Sequence, residues 1–268
     1  MINKPPPRKV YTISQINLLS AYEKREIYAR LIPDELIQRF KLNPYLVDKD
    51  GNDLLSLNCP AGSTDADMKL RHKTDFQDPI LYGHITDTIT GHIHVLLYIL
   101  NDPESARFEV DRLPDGNSTN FGTRSRNLEA EVKAMNYGLA PGQVRRGLRL
   151  LGPAIDAFEG FVKSLGHELY FAEPLHYHNA VIFENYGFSY EKGKGLMERI
   201  QTGFSPGGNF LERLNGSTPF RQPEAAMSIR LRSWAVHDGV LGEPFANVTM
   251  YKRVGKKAGI KTCVGCTW

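Results

Sequence analysis

The sequence predicts a mixed α/β (α+β) chain with a mostly antiparallel central sheet and helices on both of its faces. Three observations predict it. Residues 79–113 carry three successive apolar runs, PILYGHITDT, GHIHVLLYIL and ARFEVDRL, separated by short turns. Helical patterns lie on either side of that block, over residues 13–42 and 128–165. A further short run, Leu169 to Glu173, follows the second helical region, as a strand returning to the same sheet does.

The bulk numbers are those of a globular chain. It has 268 residues, 41% hydrophobic and 24% charged, with a formal net charge of +3. That charge is too small to argue for nucleic acid as a partner. No apolar run approaches the roughly 20 residues of a membrane span. The longest, Ile93 to Leu100, is strand-sized. The start, MINKPPPRKVYT, is basic and proline-rich without an apolar stretch, so no secretory signal is expected and a cytoplasmic location is the default. Three cysteines, Cys59, Cys263 and Cys266, do not form a disulfide framework.

The elements follow in order. Residues 1–12 read as a flexible arm because Pro5-Pro6-Pro7 favours extended backbone. Ser14 is expected to cap a first helix, and Pro33-Asp34-Glu35 to open a second with Leu36, Ile37 and Phe40 on one face. Asp48 to Asn52 form a turn before a short strand over Leu54 to Leu57. After the three-strand block, residues 114–127 are a long polar loop. Leu128 to Tyr137 is amphipathic, and Gly138 to Gly142 breaks it. A longer helix is expected from Gln143 to Leu165, kinked near Gly152-Pro153 and stopped by Gly166. HYHNAVIFENYGF, residues 176–188, reads as a short helix that stops before an extended Phe188-Ser189-Tyr190. Ser228 to Val236 and Phe245 to Tyr251 read as strands, and residues 255–268 as an exposed tail. The whole of 13–254 is expected to be a single domain.

This order resembles the GNAT superfamily of N-acyltransferases over roughly residues 75–195. Two motifs carry the resemblance. One is Leu139-Ala140-Pro141-Gly142-Gln143-Val144-Arg145-Arg146-Gly147-Leu148, opening a helix. The other is Ile182-Phe183-Glu184-Asn185-Tyr186-Gly187-Phe188, similar to the Tyr-Glu-Lys-x-Gly-Phe end of that family's fourth helix. The resemblance implies an acyl-CoA or acetyl-CoA co-substrate held by Gln143, Val144, Arg145, Arg146, Gly147 and Leu148, with no metal. A basic helix N-terminus is an anion site on physical grounds as well. The acceptor implied is a small-molecule amine or an aminoacyl group, and a homodimer is compatible with it. Loops 114–127 and 204–223 are expected to wall the acceptor site.

The chain departs from the family in two places. Val144 and Arg149 occupy positions where the phosphate motif wants Arg or Gln and a tiny residue. Phe183 stands where a tyrosine often protonates the leaving thiolate, and a phenyl ring has no O–H to give. Replacements on the page are Tyr186, His176 and His178. Candidate bases are Glu109 and Asp111, expected to share a strand face, and Glu173 at a strand end.

Other chemistries stay in view. His92-Ile93-His94 and His176-Tyr177-His178 are two His-x-His pairs, so a histidine-metal protein or a non-catalytic binding protein on the same scaffold is the alternative. Cys263-Val264-Gly265-Cys266 is half of a zinc ribbon or a redox pair, with Lys256, Lys257 and Lys261 nearby. No Gly-x-Ser-x-Gly, phosphate-loop or dinucleotide fingerprint occurs.

Overall fold

The computed structural model describes residues 10–119 and 125–268. Residues 1–9 of the arm expected over 1–12, and residues 120–124 of the 114–127 loop, therefore lie outside the described residues, whereas Thr12 of the arm is described as a helix cap. The chain divides into two compact units. The first comprises residues up to 101, then 147–172 and 253–255; the second comprises 102–146, 173–252 and 256–268.

In the first unit, α1 (Ile13–Ile16) is capped by Thr12, not Ser14. Its leading N–H groups, those of Ile13 and Ser14, donate to the Asp87 carboxylate. Helix α2 (Ala21–Tyr28) opens on a reciprocal cap between Ser20 and Glu23. A 3-10 turn (Ala29–Leu31) and α3 (Asp34–Arg39) follow. Pro33 starts α3 as expected: it stands where no helical N–H is needed, and Asp34 and Glu35 face the positive helix end.

Strands β1 (Leu55–Asn58), β2 (Asp65–Leu70), β3 (Leu81–Asp87) and β4 (Ile93–Leu100) pair antiparallel in sequence order. Strand β5 (Leu169–Ala172) joins β4 in parallel after the crossover helix α5 (Leu151–Ser164). The sheet is thus mixed and mostly antiparallel. Met68, Gly83 and Tyr98 stand side by side on one face. A Cβ on Gly83 would come within 3.0 Å of Met68 Cγ, so the glycine lets Met68 lie across the strand. On that face Tyr98 meets Phe158 of α5 edge-on at 6.4 Å and donates its O–H to Leu31 O. Phe161 of α5 stacks against Tyr28 of α2 at 6.5 Å.

The third run of the expected meander, 106–113, is not a strand. Arg107 pairs with both Glu109 and Asp111. One guanidinium gathering two carboxylates curls the chain, and Val110 N–H bonds back to Phe108 O.

The second unit holds α4 (Leu128–Tyr137), α6 (Tyr177–Asn185), β6 (Ser189–Lys192), α7 (Lys194–Gly203), α8 (Ile229–His237) and most of β7 (Thr249–Arg253). Strands β6 and β7 pair antiparallel. Residues 228–236 form a helix where a strand was expected. Ser228 caps it by accepting from Leu231 N–H, and its buried residues, Ile229 and Arg232 to Val236, include the helically spaced Ile229, Arg232, Ser233 and Val236. Counting Arg232 as a surface residue hid that period. Trp234 of α8 is fully buried, stacks on Phe220 at 5.2 Å and donates its indole N–H to Leu139 O.

Residues 255–268 are mostly exposed, as expected, but the segment is anchored. Thr262 is buried and bonds Glu184 through both N–H and O–H, and Thr267 bridges Met227 and Ile229. Cys263 and Cys266 form a disulfide. Among the described residues no helix is long and apolar enough to cross a membrane.

Asn17 is the polar latch of the first unit. It is fully buried, its amide donates to Ser63 O and Asp65 O, and its carbonyl accepts from Tyr28 O–H. Asn17→Leu strands those three groups and is expected to lower the unfolding free energy by about 2–4 kcal/mol. Urea denaturation checks it; a loss under about 0.5 kcal/mol, the scale of an ordinary surface change, is incompatible with a latch.

Candidate functional site

Two regions collect the features singled out above, one in each unit. In the first unit, β4 and β5 are joined only at His94–Phe171 and Val95–Ala172, while β4 runs on to Leu100. Strand β5 stops at Ala172, two residues before Pro174, which has no N–H to continue a ladder. At the end of β4 the returning chain crosses close by: Gly147 bridges Asn101, and Leu148 N–H donates to Leu100 O. Arg149 then takes a left-handed turn (φ 60°) into α5. Helix α5 has no side-chain cap and no acid in its first turn. Its first N–H groups, on Leu151 and Gly152, have no acceptor inside the helix by construction, and the exposed Arg149 stands beside them.

The helix start expected at Gln143–Leu148 does not form there. The helix begins at Leu151, eight residues later than the sequence pattern predicts. Gln143 spends its side chain on Ala140 N–H. Val144 is buried in the apolar core of the second unit. Arg145 donates to Ser105 O and Pro103 O, and Arg146 lies over the Tyr137 ring at 4.5 Å. Only Gly147 and Leu148 reach the start of α5. A Cβ on Gly147 would make ordinary contact with Leu100 O at 3.5 Å, so sterics do not demand a glycine there.

In the second unit, HYHNAVIFENYGF becomes α6 with His176 as its N-cap residue. His176 keeps an extended backbone (φ −135°, ψ 157°), so its ring stacks beside that of His178 at 5.7 Å. Two residues apart on a helix do not face each other; at a cap they do. A third ring, His237 at the end of α8, meets His176 edge-on at 5.4 Å. His237 Nε2 lies 3.1 Å from Glu131 Oε1, and Arg126 bonds Glu131 Oε2 at 2.6 Å and Asp238 at 2.8 Å. His178 Nδ1 is 2.9 Å from Ser233 Oγ. Gly142 closes the cluster: it is left-handed (φ 78°), and a Cβ on it would come within 2.6 Å of His176 Nε2.

Electrostatics divides the group. Burial, with His237 adding to it, pushes His176 down to about 3. Burial, and then the neighbouring histidines, put His178 well below its ordinary value. Both rings are neutral at physiological pH and offer lone pairs. For Glu131 burial opposes ionisation, but the hydrogen bonds from His237 and Arg126 outweigh it and its pKa is lowered. The result is a polar cluster of Glu131, His237, His176 and His178, ending at Ser233.

The remaining expected residues are dispersed. Glu109 is held by Arg107. Glu173 is exposed just beyond β5. Tyr186 is the C-cap of α6, so the helix does not persist to carry its hydroxyl onto the Phe183 face. Phe183 stacks on Phe188 at 4.9 Å. His92 and His94 pack against Phe171, and His84 pairs with Asp65 and Asp67. Among the described residues no three His, Cys, Asp or Glu side chains are arranged to hold a metal ion. Sequence reasoning missed Glu131, Ser233 and His237; the Arg126…Glu131 spacing and the His237-Asp238 pair were the available signals.

The depressed histidines fix a sign. Below an ordinary histidine value of 6.5 the unfolded chain takes up protons that folded His176 and His178 refuse. Stability is therefore full above that value and falls on acidification, by up to ~2 kcal/mol per histidine between about pH 6.5 and 5. Glu131 adds loss of the same sign at lower pH. His176→Gln and His178→Gln are each expected to flatten the pH dependence of the urea midpoint over that window; variants keeping the full slope contradict the assignment.

No family model, curated protein or solved structure matches the chain.

Proposed function

We propose that the protein is an N-acyltransferase of GNAT type, moving an acyl group from an acyl-CoA donor to an amine. The observation that carries this reading is the short parallel pairing of β4 and β5, followed at the end of β4 by an uncapped helix start. A strand that outruns its parallel neighbour offers backbone N–H and C=O groups to an extended, amide-bearing chain such as pantetheine. The positive end of α5 suits a pyrophosphate. Here the phosphates are proposed to meet the N–H groups of Leu151 and Gly152 with Arg149, in place of Gln143 to Arg146.

The amine would attack the thioester carbonyl, a C–N bond would form, and the thiolate would leave with a proton. Positioning supplies much of such a rate. Glu109 is set aside as a base because Arg107 holds its carboxylate. A small-molecule amine or an aminoacyl group remains the proposed acceptor. A second reading, ligand binding without acyl transfer, is favoured by Phe183, whose ring is stacked on Phe188 and has no acid to offer.

Calorimetric titration with coenzyme A and acetyl-CoA tests both readings at once. Binding is expected, and Arg149→Glu is expected to weaken it about tenfold, equivalent to ~1.4 kcal/mol. No heat at about millimolar ligand, where even a weak site is populated, sinks both. Binding without release of free thiol across a panel of amines selects the second reading.

A further inference from the structure

We propose that the Cys263–Cys266 disulfide is a reversible thiol-exchange site whose reductant is a small anionic thiol. This rests on the second unit alone and is independent of the acyltransferase reading.

The disulfide makes a poor staple. Its cysteines are three positions apart, so it closes the kind of loop whose removal from the unfolded chain matters least. The segment is pinned without it: Thr262 is held by Glu184 on one side, and Thr267 by Met227 and Ile229 on the other.

What surrounds the disulfide is a cation without a counter-charge. Arg232 is 2% exposed, and among the described residues no carboxylate pairs with it. Its Nη1 reaches Gln201 Oε1 at 2.8 Å, Tyr177 O–H at 3.2 Å and Cys263 Sγ at 3.2 Å. Its Nη2 reaches only the Ala226 carbonyl, and its Nε has no partner. Glu184, on the same helix as Tyr177, is turned to Thr262 and Tyr190 instead. Tyr177 also donates to Cys263 Sγ, at 3.0 Å. The guanidinium also lies over the Phe204 ring at 4.8 Å, but neither ring nor disulfide carries a net charge; facing a Cys263 thiolate it is paired. The site therefore favours the reduced state.

The direction of attack follows from where the released negative charge is best held, which is on Cys263 Sγ beside Arg232 and the Tyr177 hydroxyl. Cys266 Sγ lies 4.0 Å from Gln201 Oε1. Gln201 lines a cleft of about 390 Å³ with Lys194, Glu198, Lys261 and Thr262. Lys194 is paired with Glu198 at 3.4 Å, so Lys261 is the cation of this lining that suits a thiol carrying carboxylates. Its thiolate attacks Cys266 Sγ, forming a mixed disulfide and breaking the Cys263–Cys266 bond. The electron pair stays on Cys263 Sγ, facing Arg232 and the Tyr177 hydroxyl. A second thiolate attacks the sulfur of the bound thiol, releases a small-molecule disulfide and leaves Cys266 to take a proton. Two thiols are oxidised and the cysteine pair is reduced; a stabilised Cys263 thiolate is the good leaving group of the first step.

The test uses the full chain in a Cys59→Ser background, with thiols counted by alkylation and mass after exposure to reduced and oxidised glutathione. The native disulfide is expected to be reduced about tenfold faster than in the same chain unfolded in urea, and to lie further to the reduced side at equal glutathione ratio. Tyr177→Phe is expected to slow reduction and shift that ratio back toward the oxidised pair; Arg232→Lys is expected to do more, and if it fails to fold Tyr177→Phe still decides. Lys261→Ala is expected to slow glutathione but not the uncharged 2-mercaptoethanol. Native and unfolded chains that equilibrate alike overturn the proposal, as does a native fold lost on reduction. Equal slowing with both thiols overturns the anionic-thiol assignment.

Discussion

A carboxylate as buried as Glu131 cannot stay charged alone, and the second unit is arranged around that constraint. Glu131 takes Arg126 on one oxygen and His237 on the other. Arg126 continues to Asp238, which also gathers Arg221 and Thr218. These bonds tie the first turn of α4 to the last residues of α8. His237, once oriented, sets the wall against which His176 packs, and so fixes where α6 begins. The apolar layer of Trp234, Phe220 and Leu139 closes beside the network. A charge placed there takes one partner from just before its own helix, Arg126, and one from far along the chain, His237, which in turn meets His176.

The first unit is organised by strand sterics instead. Gly83 admits Met68, Tyr98 fixes the 3-10 turn through Leu31, and α5 then has a flat aromatic surface on which to lie. The parallel contact of β4 with β5 is brief because Pro174 follows so soon after β5. Whatever ligand uses the outrunning part of β4 would owe that opportunity to one missing N–H.

Much of this was legible in the sequence, and the failures share a cause. Helix α4, strands β3 to β5, helix α6 and the glycine stop at Gly187 follow from local period and punctuation. The α8 helix was misread because Arg232 is buried and apolar periodicity does not count arginine. The 106–113 segment was misread because two acids two residues apart look like one strand face, and nothing local says that Arg107 will claim both. The helix expected from Gln143 begins instead at Leu151: Gln143 bonds Ala140, Arg145 bonds the 103–105 segment after β4, and Arg146 lies over Tyr137 of α4. The histidine pair at 176 and 178 was visible; its third member, its carboxylate and its serine were not, since 45 or more residues separate each of them from that pair. Side-chain chemistry assembled across long loops leaves no periodic trace.

The two units are interleaved along the chain, and that has a consequence for how the protein comes off the ribosome. Strands β1 to β4 are neighbours in sequence and can zip as they emerge. The second unit starts at Asp102 but receives Glu184, Ser228 and the segment carrying Thr262 and Thr267 much later. Until then α4 stands in solution with Ala134 and Met135 uncovered. Synthesis thus passes through a stage in which half the molecule is folded and the other half exposes its apolar faces, the interval in which a holding chaperone has most to do.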